Sequence, residues 1–200
     1  DDWLIIVNKP KSIPVHPTMR HYEDSLSNGI RYYYDTINLH KKIRPVNRLD
    51  KDTTGIVMFA KSEYIQSNLT KYQKEYIAIV DGILEGKGTI NKRTARKENS
   101  IIERCVSESG QEAVTHFEVL KNYKDYTLVK CMLETGKTHQ IRVHFASIGH
   151  PILGDTLYGT KSTRIDRQAL HAYKITFMHP VSKEKITITA ELPEDMKKLL

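Results

Sequence analysis

The chain has 200 residues, of which 39% are hydrophobic and 28% charged, a composition that supports a packed core and excludes general disorder. Its 31 Lys and Arg residues against 24 Asp and Glu residues give a formal net charge of +7, which fits a nucleic-acid partner without establishing one. No apolar run approaches the roughly 18 residues that span a bilayer, and two cysteines are too few for a disulfide framework.

The first third of the chain combines short strands with two helices. The chain opens on a strand-like run at residues 3–7. Apolar residues recur at helical spacing after Ser25, which predicts a helix there. Residues 56–60 are apolar throughout, as in a strand buried on both faces, and Ser62 is expected to cap a helix that extends through Leu69.

Strands dominate the rest of the chain. Thr138 is expected to cap one more helix, which Gly149 ends. The predicted buried stripe of this helix is Ile141, Phe145 and Ile148. Many strands and few helices, without regular alternation, favour an α+β fold in one domain over a doubly wound fold. The strands are predicted at residues 76–80, 126–133, 170–177 and 186–192.

A segment dense in ionisable groups, residues 45–61, leads into the apolar strand. If residues 46–50 are extended, Arg48 and Asp50 point to the same face, because strand side chains alternate. One interpretation is an Arg–Asp pair at the protein surface. The other is a carboxylate held ionised in a partly buried cleft, which requires a third group beside it.

The segment at residues 134–149 offers such a group. With the apolar stripe of the predicted helix in the core, His139 and Arg142 lie at other angles near the helix start. Arg142 is then able to pair with a buried carboxylate and lower its pKa. The alternative is an amphipathic helix whose basic face is solvated. His139 and His144 are five residues apart, which fails the spacing of a zinc-binding helix, so we predict no metal site.

Two further features have both an ordinary and a functional interpretation. Tyr76 lies on an alternating strand, where a tyrosine usually belongs to the core. A basic stretch after this strand is suited to follow a phosphate backbone, or else forms an ordinary solvated loop. Its residues are Lys87, Lys92, Arg93, Arg96 and Lys97, joined by Lys41, Lys42 and Arg44 from earlier in the chain.

Taken together, six segments resemble the RluA family of RNA pseudouridine synthases over essentially the whole chain. The second segment reads NRLDKDTTG and the fourth reads GKTHQIRVH. Each segment is modest evidence by itself, whereas six in the family's order are highly specific. The segments are residues 7–17, 47–55, 74–82, 136–144, 149–155 and 168–172.

The resemblance implies an enzyme that isomerises specific uridines of ribosomal or transfer RNA to pseudouridine without a cofactor. It assigns Asp50 as the catalytic carboxylate, which either attacks the sugar or removes a sugar proton to give a glycal. It implies that Tyr76 is a platform for the freed uracil and that Leu170 forms a hydrophobic wall on the other side of the base. It also implies that Arg142 is the partner of Asp50 and that Arg48 occupies the space the base vacates. Lys137 and His139 are implied as contacts to the RNA backbone.

The resemblance also implies an organisation. Residues 1–200 are expected to form one pseudouridine synthase catalytic domain, with a mixed, largely antiparallel sheet flanked by a few helices. The N-terminal RNA-binding domain that many members carry is expected to be absent or removed. We expect a cytoplasmic monomer whose partner is RNA and which uses neither a metal nor a membrane.

The chain departs from the family's pattern at three places. Asn47 replaces the usual His of the second motif, and Thr54 replaces its usual Ser. Asn47 puts in doubt any RNA contact assigned to that His. The stretch between Leu69 and Tyr76 is also several residues shorter than is typical.

Two other functions compete with this hypothesis. One is an RNA-binding module that has lost turnover, although the presence of both Asp50 and Tyr76 argues against it. The other is a hydrolase that cuts a glycosidic bond, which needs two carboxylates flanking the bond. On a strand, Asp52 would share the face of Asp50 without spanning a substrate.

Overall fold

The computed structural model describes every residue except Arg20, and the chain divides into two compact units. The first unit consists of Asp1–Tyr72 and Ala172–Glu191, and the second of Gln73–His171 and Leu192–Leu200. In chain order the elements are β1 (Leu4–Lys9), α1 (Leu26–Thr36), β2 (Arg44–Pro45), β3 (Thr54–Ala60), α2 (Glu63–Asn68), β4 (Tyr72–Asp81), β5 (Lys87–Asn91), β6 (Thr94–Arg96), β7 (Arg104–Val106), β8 (Val114–Asn122), β9 (Tyr126–Leu133), α3 (Gln140–Ala146), β10 (Leu170–Met178), β11 (Lys185–Thr189) and α4 (Glu194–Lys197).

The first unit is organised around β3, which is buried along its whole length, as its continuous apolar run predicts. β3 lies between β1 and β10, while β2 also pairs with β3 and β11 with β10. Alternate side chains of β3 enter two hydrophobic clusters, because strand side chains alternate. Met58 packs in a cluster with Ile65 of α2 and Ile175 of β10, and Phe59 packs in another with Tyr34 of α1.

The predicted Ser62 cap is confirmed, and Ser25 caps α1 in the same way. The Ser25 hydroxyl accepts a hydrogen bond from the Asn28 amide at the start of α1. The Ser62 hydroxyl accepts one from the Ile65 amide at the start of α2. Each cap satisfies an amide that has no partner inside the helix, which fixes where the helix begins.

The second unit is built on an antiparallel sheet in the order β4–β9–β8–β5. A separate two-stranded sheet, β6–β7, forms the segment between β5 and β8. The short helix α3 is in contact with β7 and β8, and Phe145 of α3 meets Phe117 of β8 edge to face at 5.6 Å. The α+β class and the predominance of antiparallel pairing are therefore as the sequence predicts.

Residues 46–50, for which an extended backbone was the condition that puts Arg48 and Asp50 on one face, form no strand: the regular backbone ends with β2, and the Thr53 amide closes a turn onto the Asp50 carbonyl at 3.1 Å. Two local predictions are wrong. Thr138 does not cap α3, because the N-cap is His139, in the left-handed conformation at φ 57° and without a side-chain cap. The strand predicted at residues 186–192 ends at Thr189.

The amphipathic interpretation of α3 is also wrong. Residues 140–145 are all buried, Arg142 and His144 among them, and Ile148 lies beyond the helix and is half-buried. A polar side chain is buried at acceptable cost only when it is hydrogen-bonded. The helix is therefore fixed by polar contacts on the sides that a hydrophobic-stripe pattern leaves to solvent.

Among the described residues, none of the helices combines the length and the apolar character that a bilayer crossing requires.

Candidate active site

Asp50 lies in the first unit, half-buried in the turn between β2 and β3. The turn is held by Lys9 at the end of β1, whose side chain is fully buried. The Lys9 ammonium donates hydrogen bonds to the carbonyl oxygens of Pro10 at 2.9 Å, Ile13 at 2.9 Å and Lys51 at 2.7 Å. A buried lysine therefore ties the first motif to the residue directly after Asp50, a contact that no local sequence pattern indicates.

Asn47 is buried at 4% exposure and bonds to the backbone of β3. Its amide nitrogen donates to the Ile56 carbonyl at 3.0 Å, and its amide oxygen accepts from the Met58 amide at 2.8 Å. The side chain thus extends the hydrogen-bonding edge of β3 and fixes the start of the turn. This burial and these two hydrogen bonds give Asn47 a structural role in the turn.

The backbone at the last position of the second motif requires Gly55. Its φ is +111°, and a Cβ at this position would lie 2.3 Å from the Ala172 carbonyl oxygen. Any side chain would therefore force the backbones of β3 and β10 apart.

Arg48 is exposed and, within the described part of the chain, has no carboxylate partner. Desolvation and, as the smaller cause, the charge of Arg48 lower the pKa of His16. His16 is therefore mainly neutral at pH 7 and adds no positive charge beside Arg48.

Arg142 lies in the second unit, where it forms a buried two-point ion pair with Asp155. Its Nε donates to one carboxylate oxygen at 2.6 Å and its Nη2 to the other at 2.8 Å, with Asp155 fully buried. Asp155 also accepts hydrogen bonds from the amides of Leu157 and Tyr158. The Tyr158 ring centroid is 5.0 Å from the Arg142 guanidinium carbon. The predicted pairing of Arg142 with Asp50 stays a prediction.

Asp155, the partner of Arg142, is the main residue of the candidate site that the sequence does not predict. It closes the fifth family-like segment, directly after Gly154, whose φ is +76°. A Cβ on Gly154 would lie 2.4 Å from the Arg167 carbonyl oxygen. The one signal in the sequence is its place at the end of that segment, directly after a glycine.

Two more polar side chains of α3 form a buried network. The Gln140 amide oxygen accepts from the Thr135 hydroxyl and the Lys137 amide, and its nitrogen donates to the Thr115 hydroxyl at 3.1 Å. His144 Nε2 lies 2.9 Å from the Lys92 carbonyl, and its Nδ1 lies 2.9 Å from the Thr115 hydroxyl. Because a carbonyl only accepts, Nε2 carries the proton and Thr115 donates to Nδ1.

The burial that surrounds this network lowers the pKa of His144, although its hydrogen bond to the Lys92 carbonyl acts in the opposite direction. The imidazole is therefore neutral at pH 7 and matches the donor and acceptor that its two neighbours require.

Tyr76 and Leu170, the predicted neighbours of the uracil, both lie in the second unit and are 5% and 4% exposed. Tyr76 is opposite Cys131 in the β4–β9 pair, and the Lys74 ammonium is 6.0 Å from its ring centroid. The Leu170 carbonyl accepts a hydrogen bond from Arg167 at 3.2 Å. Both side chains stand on strands, so their positions are well defined by the sheet.

The two predicted RNA-backbone contacts lie just before α3. His139 Nδ1 is 2.7 Å from the Tyr158 hydroxyl, so the histidine ring is oriented toward the residue that stacks under Arg142. Lys137 is half-buried and lines a cavity. Of the predicted site residues, Asp50 and Arg48 thus belong to the first unit and the others to the second.

No group of three or more His, Cys, Asp or Glu side chains suited to hold a metal ion occurs in the described residues.

Comparison with known proteins decides the family. The family model of RNA pseudouridylate synthases matches residues 3–147. The chain belongs to this family. Family members isomerise uridine to pseudouridine in RNA, so this protein is an RNA pseudouridine synthase, and its resemblance to the RluA family is confirmed.

Individual relatives agree with this assignment. The uncharacterised RNA pseudouridine synthase YjbO of Bacillus subtilis is 42% identical over 207 residues, covering 100% of this chain and 73% of its own. Ribosomal large subunit pseudouridine synthase D of Haemophilus influenzae is 37% identical over 220 residues, covering 100% and 68%. The solved structure of human RNA pseudouridylate synthase domain containing 1 shares the fold, with a TM-score of 0.78, 24% identity and coverage of 96% and 80%.

Proposed function

We propose that this pseudouridine synthase acts on uridines of large-subunit ribosomal RNA, with Asp50 as the catalytic carboxylate. The observation that carries the role of Asp50 is its place in a turn anchored by buried side chains, Lys9 after it and Asn47 before it. Catalytic groups need such fixed positions. The RNA class is supported by relatives named as ribosomal large subunit pseudouridine synthases in Haemophilus influenzae and Vibrio cholerae.

The chemistry explains why a carboxylate is needed. The bond from N1 of uracil to C1′ of the sugar breaks, and a bond from C5 to C1′ forms. A proton leaves C5 and a proton is gained at N1, so the reaction has no net oxidation and consumes no co-substrate. A carboxylate supports this route either by attacking C1′ or by removing a sugar proton.

The other residues take supporting roles in the proposal. Tyr76 and Leu170 present rigid apolar surfaces to the detached uracil, which must not be lost to water. Arg142, whose Nε and Nη2 are held by Asp155, supplies a fixed positive charge for the Asp50 carboxylate. Arg48 is an exposed arginine without a carboxylate partner in the described residues, so it is suited to contact RNA.

RNA contact by the segment before α3 completes the proposal. Lys137 and His139 both lie there, close to Arg142 in the chain. The target nucleotide must leave its stack to reach a catalytic carboxylate, and backbone contacts of this kind hold the distorted strand.

The decisive experiment compares Asp50→Asn with Asp52→Asn, a matched variant that makes the same charge change two residues away. Each protein is incubated with a large-subunit ribosomal RNA transcript, and pseudouridine is measured by mass spectrometry of the digested RNA. We expect Asp50→Asn to lose activity by roughly 100- to 10,000-fold, as for removal of a positioned acid–base group, and Asp52→Asn to keep most of it.

Each contrary result has a defined meaning. Equal product from the wild type and Asp50→Asn refutes the catalytic role of Asp50. Release of free uracil supports the hydrolase instead, and tight, salt-sensitive RNA binding without product supports the binding module. Pseudouridine mapping in a deletion strain and its parent tests the RNA class, since a loss confined to transfer RNA contradicts the ribosomal assignment.

The proposal also takes residues 1–200 as one catalytic domain that acts in the cytoplasm as a monomer and without a metal. Its support is that ribosomal RNA lies in that compartment and that the reaction needs no Lewis acid. Light scattering of the purified protein and activity after dialysis against EDTA test the oligomeric state and the metal.

A further inference from the structure

A cavity of about 530 Å³ lies within the second unit. Its walls come from the β6–β7 sheet, from the turn at residues 109–111 and from residues 136–138 before α3. A volume of this size lies within the range of small-molecule sites. No residue proposed to hold the target uridine, neither Tyr76 nor Arg142 nor Leu170, lines it.

The lining of this cavity is positively charged and contains no acidic residue. Arg96, Arg104 and Lys137 line it, together with hydroxyl and amide side chains such as Thr94 and Gln111. Arg96 and Arg104 are directly opposite each other in the β6–β7 pair. Like charges that face each other across two strands are destabilising, so this arrangement favours an anion between them.

The cations that line the cavity differ from most arginines of the chain in having no ion-pair partner among the described residues. Within the described residues, Arg96, Arg104 and Lys137 have no carboxylate partner. The Nε of Arg104 is moreover buried and has no hydrogen-bond acceptor, which is rare for a charged group. The arginines that do pair with carboxylates are Arg31, Arg44, Arg93, Arg142, Arg164 and Arg167.

The walls of the cavity are held in place. The Lys137 amide donates to the buried Gln140 side chain at 3.0 Å, and the Arg104 amide donates to the Tyr158 hydroxyl at 2.8 Å. Gly110 allows its turn to approach β6 so closely that a Cβ there would lie 2.5 Å from the Thr94 carbonyl. A preformed site loses little entropy when it binds a ligand.

The cavity also has a fixed relation to Arg142. Arg104 is bonded through its backbone to Tyr158, and the ring of Tyr158 lies under the Arg142 guanidinium. One side chain therefore separates the cavity wall from the arginine of the proposed active site. An RNA strand that presents one nucleotide near Arg142 is able to place another in this cavity.

We propose that this cavity binds a second nucleotide of the substrate RNA, distinct from the target uridine, with its phosphate on Arg96, Arg104 and Lys137. The inference rests on the proposed function, because it takes the ligand from the RNA that the enzyme modifies. Arginine forks suit phosphate oxygens, and the hydroxyl and amide groups of the lining suit the ribose and the base edge.

The test measures RNA binding rather than turnover. A fluorescein-labelled RNA stem-loop with uridines in its loop is titrated with the wild type, with Arg96→Gln/Arg104→Gln, and with the control Lys124→Gln/Lys198→Gln. Lys124 and Lys198 are exposed lysines of the same unit, so the control loses the same charge. We expect the pocket variant to raise Kd roughly 10- to 100-fold and to lower the salt slope by about one to two, with little effect of the control.

A second arm locates the phosphate. The same stem-loop is made with one phosphate at a time replaced by an uncharged methylphosphonate. In the wild type, one position is expected to weaken binding about tenfold, and this loss should disappear in the pocket variant, as in a double-mutant cycle. Losses at that position that are equal in both proteins overturn the proposal, as do equal Kd values for the pocket and control variants.

Two further measurements, of melting temperature and of pseudouridine formation, distinguish the ways in which the proposal can fail. The pocket variant should melt at the wild-type temperature or above it, since it removes a like-charge pair, so weakened binding cannot come from unfolding. A clear drop in melting temperature assigns the two arginines a structural role and overturns the proposal. If the wild type binds RNA through this cavity yet forms no pseudouridine, the proposed function fails while the pocket stands.

Discussion

The two units hold their proposed functional residues by different kinds of contact. In the first unit, the turn of Asp50 is held by Lys9 and Asn47, whose side chains bond to backbone carbonyls and amides. In the second unit, Arg142 is held by another side chain, the carboxylate of Asp155, and its neighbour His144 bonds to the Thr115 hydroxyl.

This difference has consequences for substitution and for pH. A backbone partner is present whatever the sequence, so a contact such as that of Lys9 depends on one residue only. A side-chain pair depends on two residues and on their protonation states. We therefore expect the second unit to be the more sensitive to loss of a partner and to acid.

The largest effect is expected for Asp155→Asn. It leaves the Arg142 charge buried without its carboxylate, which typically costs about 3–5 kcal/mol in the free energy of unfolding. The matched control is Asp125→Asn, which breaks the exposed pair with Arg164, where both side chains are about half exposed, and should cost under about 1 kcal/mol. Urea unfolding of both variants measures the difference, and similar costs would remove the distinction between the two pairs.

Lys9→Met should come next, with a loss of roughly 2–3 kcal/mol. The methionine replaces the aliphatic part of the lysine side chain but leaves the three carbonyl oxygens without the ammonium that donates to them. Because one of them belongs to Lys51, pseudouridine formation should fall as well. Lys11→Met, at an exposed position of the same segment, is the control for urea unfolding and activity. A Lys9→Met protein as stable as this control would show that backbone contacts do not anchor the turn.

Asn47→Ala is expected to cost about 1–3 kcal/mol, since it leaves the buried Ile56 carbonyl and Met58 amide unsatisfied. Asn47→His restores the residue that is usual in the family's second motif and keeps one donor and one acceptor, so it should recover part of the loss. Thermal melting of the three proteins tests this order. Full stability of the alanine variant would contradict a structural role for Asn47.

The sequence predicts those features that depend on neighbours along the chain. The apolar run of β3, the helix after Ser25 and the Ser62 cap of α2 are local patterns, and all three are confirmed. The burial of Lys9 and the Asp155 partner of Arg142 depend on residues that only the fold brings together, so no spacing rule reveals them. Thr138 was a reasonable cap by type, but the left-handed backbone of His139 starts the helix one residue later.

The smallest effect, and the one specific to the second unit, is the response of His144 to pH. Burial lowers the pKa of His144 in the folded protein below the value of 6.5 that an unperturbed histidine has. At a pH between the folded and the unfolded pKa, the unfolded chain therefore binds a proton at His144 that the folded protein does not. The stabilising contribution of neutral His144 is therefore complete above about pH 6.5 and is lost as the pH falls through the folded pKa. Gln at this position offers a donor and an acceptor but does not titrate. The free energy of unfolding of the wild type should thus fall relative to that of His144→Gln between about pH 8 and about pH 5, by about 1.4 kcal/mol for each unit that separates the two pKa values. If the free energy of unfolding changed equally with pH in the two proteins, the hydrogen bonds of His144 would be as insensitive to acid as those of Lys9.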